Sequence, residues 1–166
     1  MENRALSKRL KNTFTTLIET LEGLDQQQLN KVPFEGSWTA AQLGDHLFQS
    51  YDVLGTLNGN VVVPQRSADE KVKEIEALFL NFEIKMESPK EILPFDGEEL
   101  KDELLHPLRS RTTKLTDFAE SVALSPLCLD DEFPGFGPLT RYEWLVFCDV
   151  HTQRHLHQLS GIIASL

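Results

Sequence analysis

The sequence predicts an all-helical fold, a four-helix bundle with a long crossover between the second and the third helix. Two observations support this prediction. Four segments space their apolar residues three and four positions apart, which places each set on one face of a helix. The segment at 58–97 lacks a single regular pattern and is long enough to be the crossover of such a bundle.

The first helix is predicted over residues 2–24, and residues 25–36 form a polar connection after it. The apolar stripe of this helix is Leu6, Leu10, Phe14, Leu17, Leu21 and Leu24. The second helix begins at Thr39, because Thr39 and Gln42 fit a capping box in which each side chain bonds a backbone amide of the other residue. It ends at the turn signal of residues 58–60.

The crossover is predicted to contain one short extra helix. Ser67 and Glu70 fit a second capping box, and apolar residues at helical spacing continue from there to about residue 80. Residues 80–86 alternate between apolar and polar, which favours an extended segment. Two prolines keep the following stretch out of a helix. The sequence assigns no role to residues 67–94.

The third helix is predicted to begin near Asp96, with Glu99 as its capping partner, and to end near Val122. Its apolar stripe is continuous, but Pro107 falls inside it, and a proline within a helix predicts a kink there. This helix follows the crossover and is the third of the four helices in the predicted bundle.

Residues 125–138 are predicted to be a loop, because three prolines and two glycines disfavour a regular element there. The fourth helix begins at Thr140, which fits a capping box with Glu143. Its inward stripe is Trp144, Phe147, His151, His155, Gln158 and Ile162. With 166 residues in total, the chain fits a single domain over 1–166.

Composition excludes several function classes. The formal net charge of −10 argues against binding to nucleic acid or to anionic lipid. No apolar run reaches the roughly 20 residues of a membrane span, and the N-terminal stretch lacks the apolar core of a secretory signal. Cys128 and Cys148 are interpreted as free thiols in a reducing compartment. We therefore expect a cytoplasmic protein without a nucleic-acid or membrane partner.

Three histidines interrupt otherwise apolar helical faces. His151 and His155 are one turn apart, so their Cβ atoms lie roughly 5–6 Å from each other. His46 lies between Leu43 and Leu47 on the second helix. Buried polar side chains need partners, and one metal ion would serve all three imidazoles. Separate hydrogen bonds would also serve them, and periodicity does not show that the second and fourth helices face each other.

These segments resemble the DinB-like (DinB/YfiT) superfamily of proposed metalloenzymes. The matching motifs are Ser37-Trp38-Thr39 followed by His46-Leu47, Gly137 to Trp144, and His151-x-x-x-His155-x-x-Gln158. The resemblance covers most of the chain. It implies a four-helix bundle with a crossover, often as a homodimer. It also implies that His46, His151 and His155 bind one divalent ion, commonly nickel or zinc.

Three protein ligands leave one coordination position open, which is typical of a catalytic metal site. Relatives include thiol S-transferases, so the resemblance implies a metal-dependent transferase acting on a low-molecular-weight thiol, with hydrolysis as the lesser variant. One alternative is a non-catalytic bundle that binds a metal or a small ligand, because no Glu or Asp lies on the histidine stripe to act as a base. Another is a helical protein whose histidines only form hydrogen bonds.

Four further side chains are candidates for binding a substrate or supporting a ligand: Gln158, Arg154, Trp38 and Phe136. Gln158 lies one turn after His155 and is placed to form a hydrogen bond there. Arg154 is placed either to hold a substrate carboxylate or to form a structural ion pair. The two aromatic residues are candidates for the pocket wall. Asp45 and Asp149 are weaker candidates, because neither shares the face of the histidine near it in sequence.

Overall fold

The computed structural model describes residues 2–166, and this part of the chain is mostly helical, as predicted. The helices are α1 (Glu2–Glu22), α2 (Gln26–Asn30), α3 (Ala40–Ser50), α4 (Leu54–Leu57), α5 (Val72–Phe79), α6 (Lys101–Ser121) and α7 (Arg141–Ala164). Two 3-10 turns cover Tyr51–Val53 and Lys90–Ile92, and the strands are β1 (Val61–Val62), β2 (Leu127–Phe133) and β3 (Gly137–Thr140). No helix described between residues 2 and 166 is long and apolar enough to cross a membrane.

The four long helices α1, α3, α6 and α7 pack around one apolar core. Helix α1 lies against α6 and α7, and α3 lies against the same two helices. The stripe predicted for the first helix is buried in full, from Leu6 to Leu24, and each such side chain contributes roughly 1.5–3 kcal/mol to folding. Cys128 and Cys148 are both free thiols in this buried region, as predicted.

The capping boxes predicted for two of the long helices are confirmed. At the start of α3, the Gln42 amide donates to the Thr39 hydroxyl at 3.0 Å, and the Thr39 amide donates back to the Gln42 side chain. At the start of α7, Thr140 and Glu143 form the same pair of bonds. These local bonds satisfy helix amides that would otherwise lack a partner, and they fix where both histidine-bearing helices begin.

Glu143 also joins α7 to the crossover. Its fully buried carboxylate accepts two bonds from Arg66, at 2.7 and 2.8 Å, and one from the Lys71 amide at 2.8 Å. Burial alone would raise the pKa of Glu143, but Arg66 and the amides of Thr140 and Lys71 outweigh it, so the pKa lies below its usual value. The carboxylate therefore stays charged and holds the start of α5 against the start of α7.

The N-terminal half differs from the prediction in two places. The supposed polar connection contains α2, which Asp25 and Gln28 cap with a further box. The second helix is not continuous to residue 57, because α3 ends at Ser50 and a 3-10 turn precedes α4. The Ser50 hydroxyl donates to the Leu47 carbonyl at 2.7 Å, and such side-chain bonds compete with the helical ladder.

The helices in and after the crossover begin at residues other than those predicted. The box proposed at Ser67 is not formed: α5 begins at Val72, and the Glu143 carboxylate accepts the backbone amide of the preceding residue, Lys71. The third long helix begins at Lys101 rather than near Asp96, because Gln26 of α2 accepts the Lys101 amide at 2.8 Å. This helix runs through its internal proline to Ser121. Residues 80–86 form turns and irregular backbone rather than an extended strand.

The prediction of a loop at 125–138 is wrong, and so is that of a purely helical fold. Strands β1, β2 and β3 form an antiparallel sheet in that order. The prolines are compatible with this sheet, because Pro126 precedes β2, Pro134 lies in the turn, and Pro138 lies on the edge strand β3. Gly135 in that turn has a φ of 84°, which glycine adopts without strain.

Candidate metal centre

The three predicted histidines meet where α3 packs against α7. The Nε2 atom of His151 lies 3.2 Å from that of His46 and 3.1 Å from that of His155. One ring nitrogen from each residue fits within a group in which all distances are below 4.8 Å. His46 and His151 are buried, and His155 is partly exposed. The question that periodicity left open, whether the second and fourth helices face each other, is answered by this contact.

Hydrogen bonds to residues outside the cluster determine which ring nitrogen of His46 and of His155 carries the proton. The other nitrogen of each ring faces the cluster. His46 Nδ1 lies 2.7 Å from the carbonyl of Ile92, and His155 Nδ1 lies 2.8 Å from Oε1 of Gln158. Because both oxygens can only accept, both Nδ1 atoms donate, and the two Nε2 atoms keep lone pairs. His151 could donate a proton to only one of them. Hydrogen bonds among the rings therefore leave the cluster incompletely satisfied.

A divalent ion fits this donor set. Nitrogens bound at 2.0–2.1 Å in tetrahedral geometry lie about 3.4 Å apart, so the 3.1 and 3.2 Å separations are within a few tenths of an ångström of that value. His151 Nδ1 is buried and has no hydrogen-bond partner among the described residues. The ring of His151 instead stacks on Phe147, with 5.0 Å between centroids and 16° between planes.

Burial keeps the three imidazoles neutral. It lowers the pKa of His46, although the bond to Ile92 opposes the change. It lowers the pKa of His151 well below the usual value, and the neighbouring His155 and His46 add to that effect. Burial and the proximity of His46 lower the pKa of His155 to about 3. Neutral imidazole is the form that binds a metal ion.

The predicted aromatic residues occupy different positions. Trp38 lies beside the cluster, with its ring centroid 4.9 Å from that of His46 and 6.2 Å from that of His155. Phe136 lies farther out and packs on Phe133 at 5.5 Å. Phe133 in turn packs on Phe147, the ring that stacks on His151. Trp38 therefore lies against the histidine cluster, whereas Phe136 is connected to it only through Phe133 and Phe147.

Gln158 and Arg154 have separate roles. Gln158 orients His155 through the bond described above. Arg154 donates to the backbone carbonyls of Phe79, at 3.3 Å, and Asn81, at 3.0 Å, and also to the Ile84 carbonyl. Within residues 2–166 it forms no ion pair, so the predicted structural ion pair is absent from this part of the chain. Its contacts hold the crossover instead.

Sequence reasoning missed the groups that orient His46. The Ile92 carbonyl accepts from His46 Nδ1, and the Ser88 hydroxyl lies 3.3 Å from the same nitrogen. Both belong to the crossover, to which the sequence assigned no role. A backbone carbonyl is present in every residue, so no sequence signal could have identified this one.

The two aspartates near the histidines form their hydrogen bonds outside the cluster. Asp149 is buried and accepts from Arg9 at 2.7 Å and from Thr13 at 2.6 Å, which ties α7 to α1. Asp45 accepts the backbone amide of Phe95 at 2.7 Å, which ties α3 to the crossover. Neither forms a bond to an imidazole in the described structure, as expected from the helical faces they occupy.

Comparisons with known proteins agree with the resemblance drawn from the motifs. A family model described as the DinB superfamily matches residues 9–159. YuaE, an uncharacterized protein of Bacillus subtilis (strain 168), is 27% identical over 150 residues, which are 86% of this chain and 87% of the relative. No solved structure matches.

Proposed function

Because the chain belongs to the DinB superfamily, we propose that it binds one divalent metal ion through His46, His151 and His155. We propose further that it is a metal-dependent enzyme which transfers a group onto a low-molecular-weight thiol. The observation that carries the metal proposal is the convergence of three Nε2 atoms, with separations of 3.1 and 3.2 Å at His151. Imidazole ligands suit zinc, nickel, copper and iron, and the resemblance to the family favours nickel or zinc among them.

The surroundings of the histidines support catalysis rather than a closed structural site. Three protein ligands leave a coordination position open. A divalent ion bound there lowers the pKa of a thiol or a water and so supplies a nucleophile near neutral pH. His155 is less buried than the other two histidines, and the Trp38 ring provides an apolar contact 4.9 Å from the His46 ring. Hydrolysis is the lesser variant of the same proposal.

A non-catalytic metal- or ligand-binding protein is the second candidate. It is favoured by the composition of the cluster, which contains only histidines among the described residues. A carboxylate next to the open position would be the usual general base. A binding protein needs no such group, whereas a transferase would rely on the ion alone to activate its thiol.

Metal analysis of protein purified without a histidine tag tests the metal proposal. We expect about one divalent ion per chain, and we expect His46→Ala and His151→Ala each to lose it. His106→Ala is the matched control, because His106 is an exposed histidine outside the cluster. Normal metal content in both cluster variants would refute the ligand set.

Activity assays with the metal-loaded protein separate the two candidates. Conjugation of an electrophile to each of several low-molecular-weight thiols is measured, together with hydrolysis of ester substrates. Turnover that disappears in His151→Ala supports the enzyme. Absence of turnover with every thiol and ester, in protein that holds a full complement of metal, supports the binding protein.

Further features of the protein are proposed on the same resemblance. We propose a single domain over 1–166 whose four long helices form a four-helix bundle with a crossover, and a homodimer located in the cytoplasm. The net charge of −10 supports a protein with no nucleic-acid partner and no membrane association. Light scattering coupled to size-exclusion chromatography tests the dimer, since a mass near 18.9 kDa would identify a monomer instead.

A further inference from the structure

The strap, which we define as residues 80–95, is the part of the crossover that lies next to the histidines. Residues 90–92 form one 3-10 turn within it, and the rest is irregular. Phe82 of the strap stacks on His157, with 4.2 Å between centroids and 8° between planes. The strap therefore lies along α7 at its start and along α3 at its end, which are the two helices that carry the histidines.

The beginning of the strap is held by Arg154, the residue before His155. Its guanidinium donates to the carbonyls of Phe79, Asn81 and Ile84. A charged donor forms stronger hydrogen bonds than a neutral one, and three acceptors on one side chain fix the local path of the backbone. Arg154 thus fixes the beginning of the strap against α7.

The end of the strap is held by Asp45, the residue before His46. One carboxylate oxygen of Asp45 accepts the Phe95 amide at 2.7 Å and the Gln49 side-chain amide at 2.8 Å. Gln49 also donates to the Leu93 carbonyl at 2.8 Å. Asp45 and Gln49 are one turn apart on α3, so together they fix the backbone on both sides of residue 94.

Ile92 directly precedes this fixed stretch, and its carbonyl accepts from His46 Nδ1 at 2.7 Å. The bond sets the tautomer of His46 and the rotation of its ring, so that Nε2 faces His151 at 3.2 Å. The Ile92 amide donates to the Pro89 carbonyl at 3.2 Å, which closes the 3-10 turn. The carbonyl therefore has its direction fixed by the turn and by the contacts at Leu93 and Phe95.

We propose that Asp45 is a positioning residue of the metal centre, which acts on His46 through Gln49, the strap and the Ile92 carbonyl. The inference rests on the proposed metal site. Outer hydrogen-bond partners of metal-binding histidines orient the ring, and their loss typically weakens metal binding about 10–100-fold. Here the partner is a backbone group, so its direction depends on the side chains that hold the strap.

Cobalt(II) binding to the metal-free full-length protein tests this role. The visible spectrum of the bound ion reports the ligand geometry, and competition with a chromogenic chelator reports the affinity. We expect Asp45→Ala and Gln49→Leu to weaken cobalt binding about 10–100-fold and to change the spectrum. Asp45→Asn keeps one acceptor for the Phe95 amide, so we expect a smaller loss.

Two comparisons distinguish a positioning role of Asp45 from the mere loss of a negative charge near the metal centre. Gln49→Leu leaves the net charge unchanged, so a loss of affinity in this variant does not come from the charge of Asp45. Asp52→Ala is the matched control, because Asp52 lies just beyond α3 and its carboxylate pairs with Arg111 at 3.3 Å rather than with the strap. We expect this control to bind cobalt within twofold of the wild type.

Three outcomes would overturn the inference. If Asp45→Ala and Gln49→Leu bind cobalt with the wild-type affinity and spectrum, Asp45 does not position His46, while the metal site itself stands. If their metal-free forms melt at a lower temperature with unchanged affinity and spectrum, the strap contacts serve stability alone. If the wild type binds neither cobalt nor zinc, the proposed metal site fails together with the inference. Should Asp45→Ala not fold, Gln49→Leu decides among these outcomes.

Discussion

Replacing Glu143 by glutamine removes the charge on which α7 and the crossover converge. The carboxylate of Glu143 is fully buried and accepts from Arg66, from the Lys71 amide and from the Thr140 amide. In Glu143→Gln one acceptor becomes an NH2 group, which then faces two donors, a nitrogen of Arg66 and one backbone amide. Arg66, with 19% of its side chain exposed, loses its counter-charge.

The size of the effect follows from this burial. Breaking a buried ion pair by removing one partner costs about 3–5 kcal/mol. Since Arg66 retains some contact with solvent, we expect the lower end, about 3 kcal/mol. For a chain of this size, 1 kcal/mol corresponds to about 2–4 °C in the melting temperature. Glu143→Gln should therefore melt roughly 6–12 °C below the wild type.

Urea unfolding, monitored by circular dichroism, measures the free energy of unfolding, and a thermal scan gives the melting temperature. Glu132→Gln is the matched control, because Glu132 lies exposed on β2 and such surface changes usually stay within about 0.5 kcal/mol. A loss below about 1 kcal/mol in Glu143→Gln would show that Arg66 and the two amides find other partners. The assigned function of this carboxylate, joining α5 to α7, would then be wrong.

Four further predictions concern a helix glycine, core packing, pH and metal binding. Gly161 is exposed in α7 with nothing within 4 Å of an added Cβ, so Gly161→Ala should raise the free energy of unfolding by about 0.5–1 kcal/mol. Gly44→Ala should be less stable than Gly161→Ala in the same urea assay, because its Cβ would lie 3.2 Å from side-chain carbons of Leu104 and Leu21, which would have to move. Burial, with Asp45 and Glu103 nearby, raises the pKa of Glu99 to about 7. The folded state therefore holds this proton more tightly than the unfolded state, so the contribution of Glu99 to stability falls as pH rises from about 4 toward 7. Glu99→Gln should exceed the wild type in urea midpoint at pH 8 and match it at pH 4, and equal midpoints at both pH values would contradict the shift. Adding zinc at 100 times its dissociation constant should stabilise the wild type by about 2.7 kcal/mol in the urea assay, and the His151→Ala variant should show no such gain.

The features that were predictable from the sequence are local ones. The capping boxes at Thr39 and Thr140 involve residues three positions apart, and the stripe containing His151 and His155 needs only helical periodicity. Each of these signals lies within one helix, so its outcome does not depend on how the rest of the chain folds. The resemblance then indicated that His46 belongs to the same cluster, which spacing alone did not show.

The features that were missed depend on contacts between distant residues. The box predicted at Ser67 did not form, and the amide at the start of α5 is bound instead by the carboxylate of Glu143, 72 positions from Lys71. The loop prediction at 125–138 failed because prolines are tolerated at a turn and on an edge strand, and only pairing with β1 and β3 reveals β2 as a strand. The group that orients His46 is a carbonyl, which no side-chain pattern encodes.

Helix α7 carries two of the three histidines, the Glu143 carboxylate and the Asp149 carboxylate that binds Arg9. The other described helices and strands precede it in sequence, so a ribosome synthesises them before α7. Until then α1 and α3 lack one of their two neighbours, and His46 has no second imidazole beside it. Binding of the proposed metal ion is therefore expected to require the synthesis of α7, and nascent chains stalled before residue 141 should retain none.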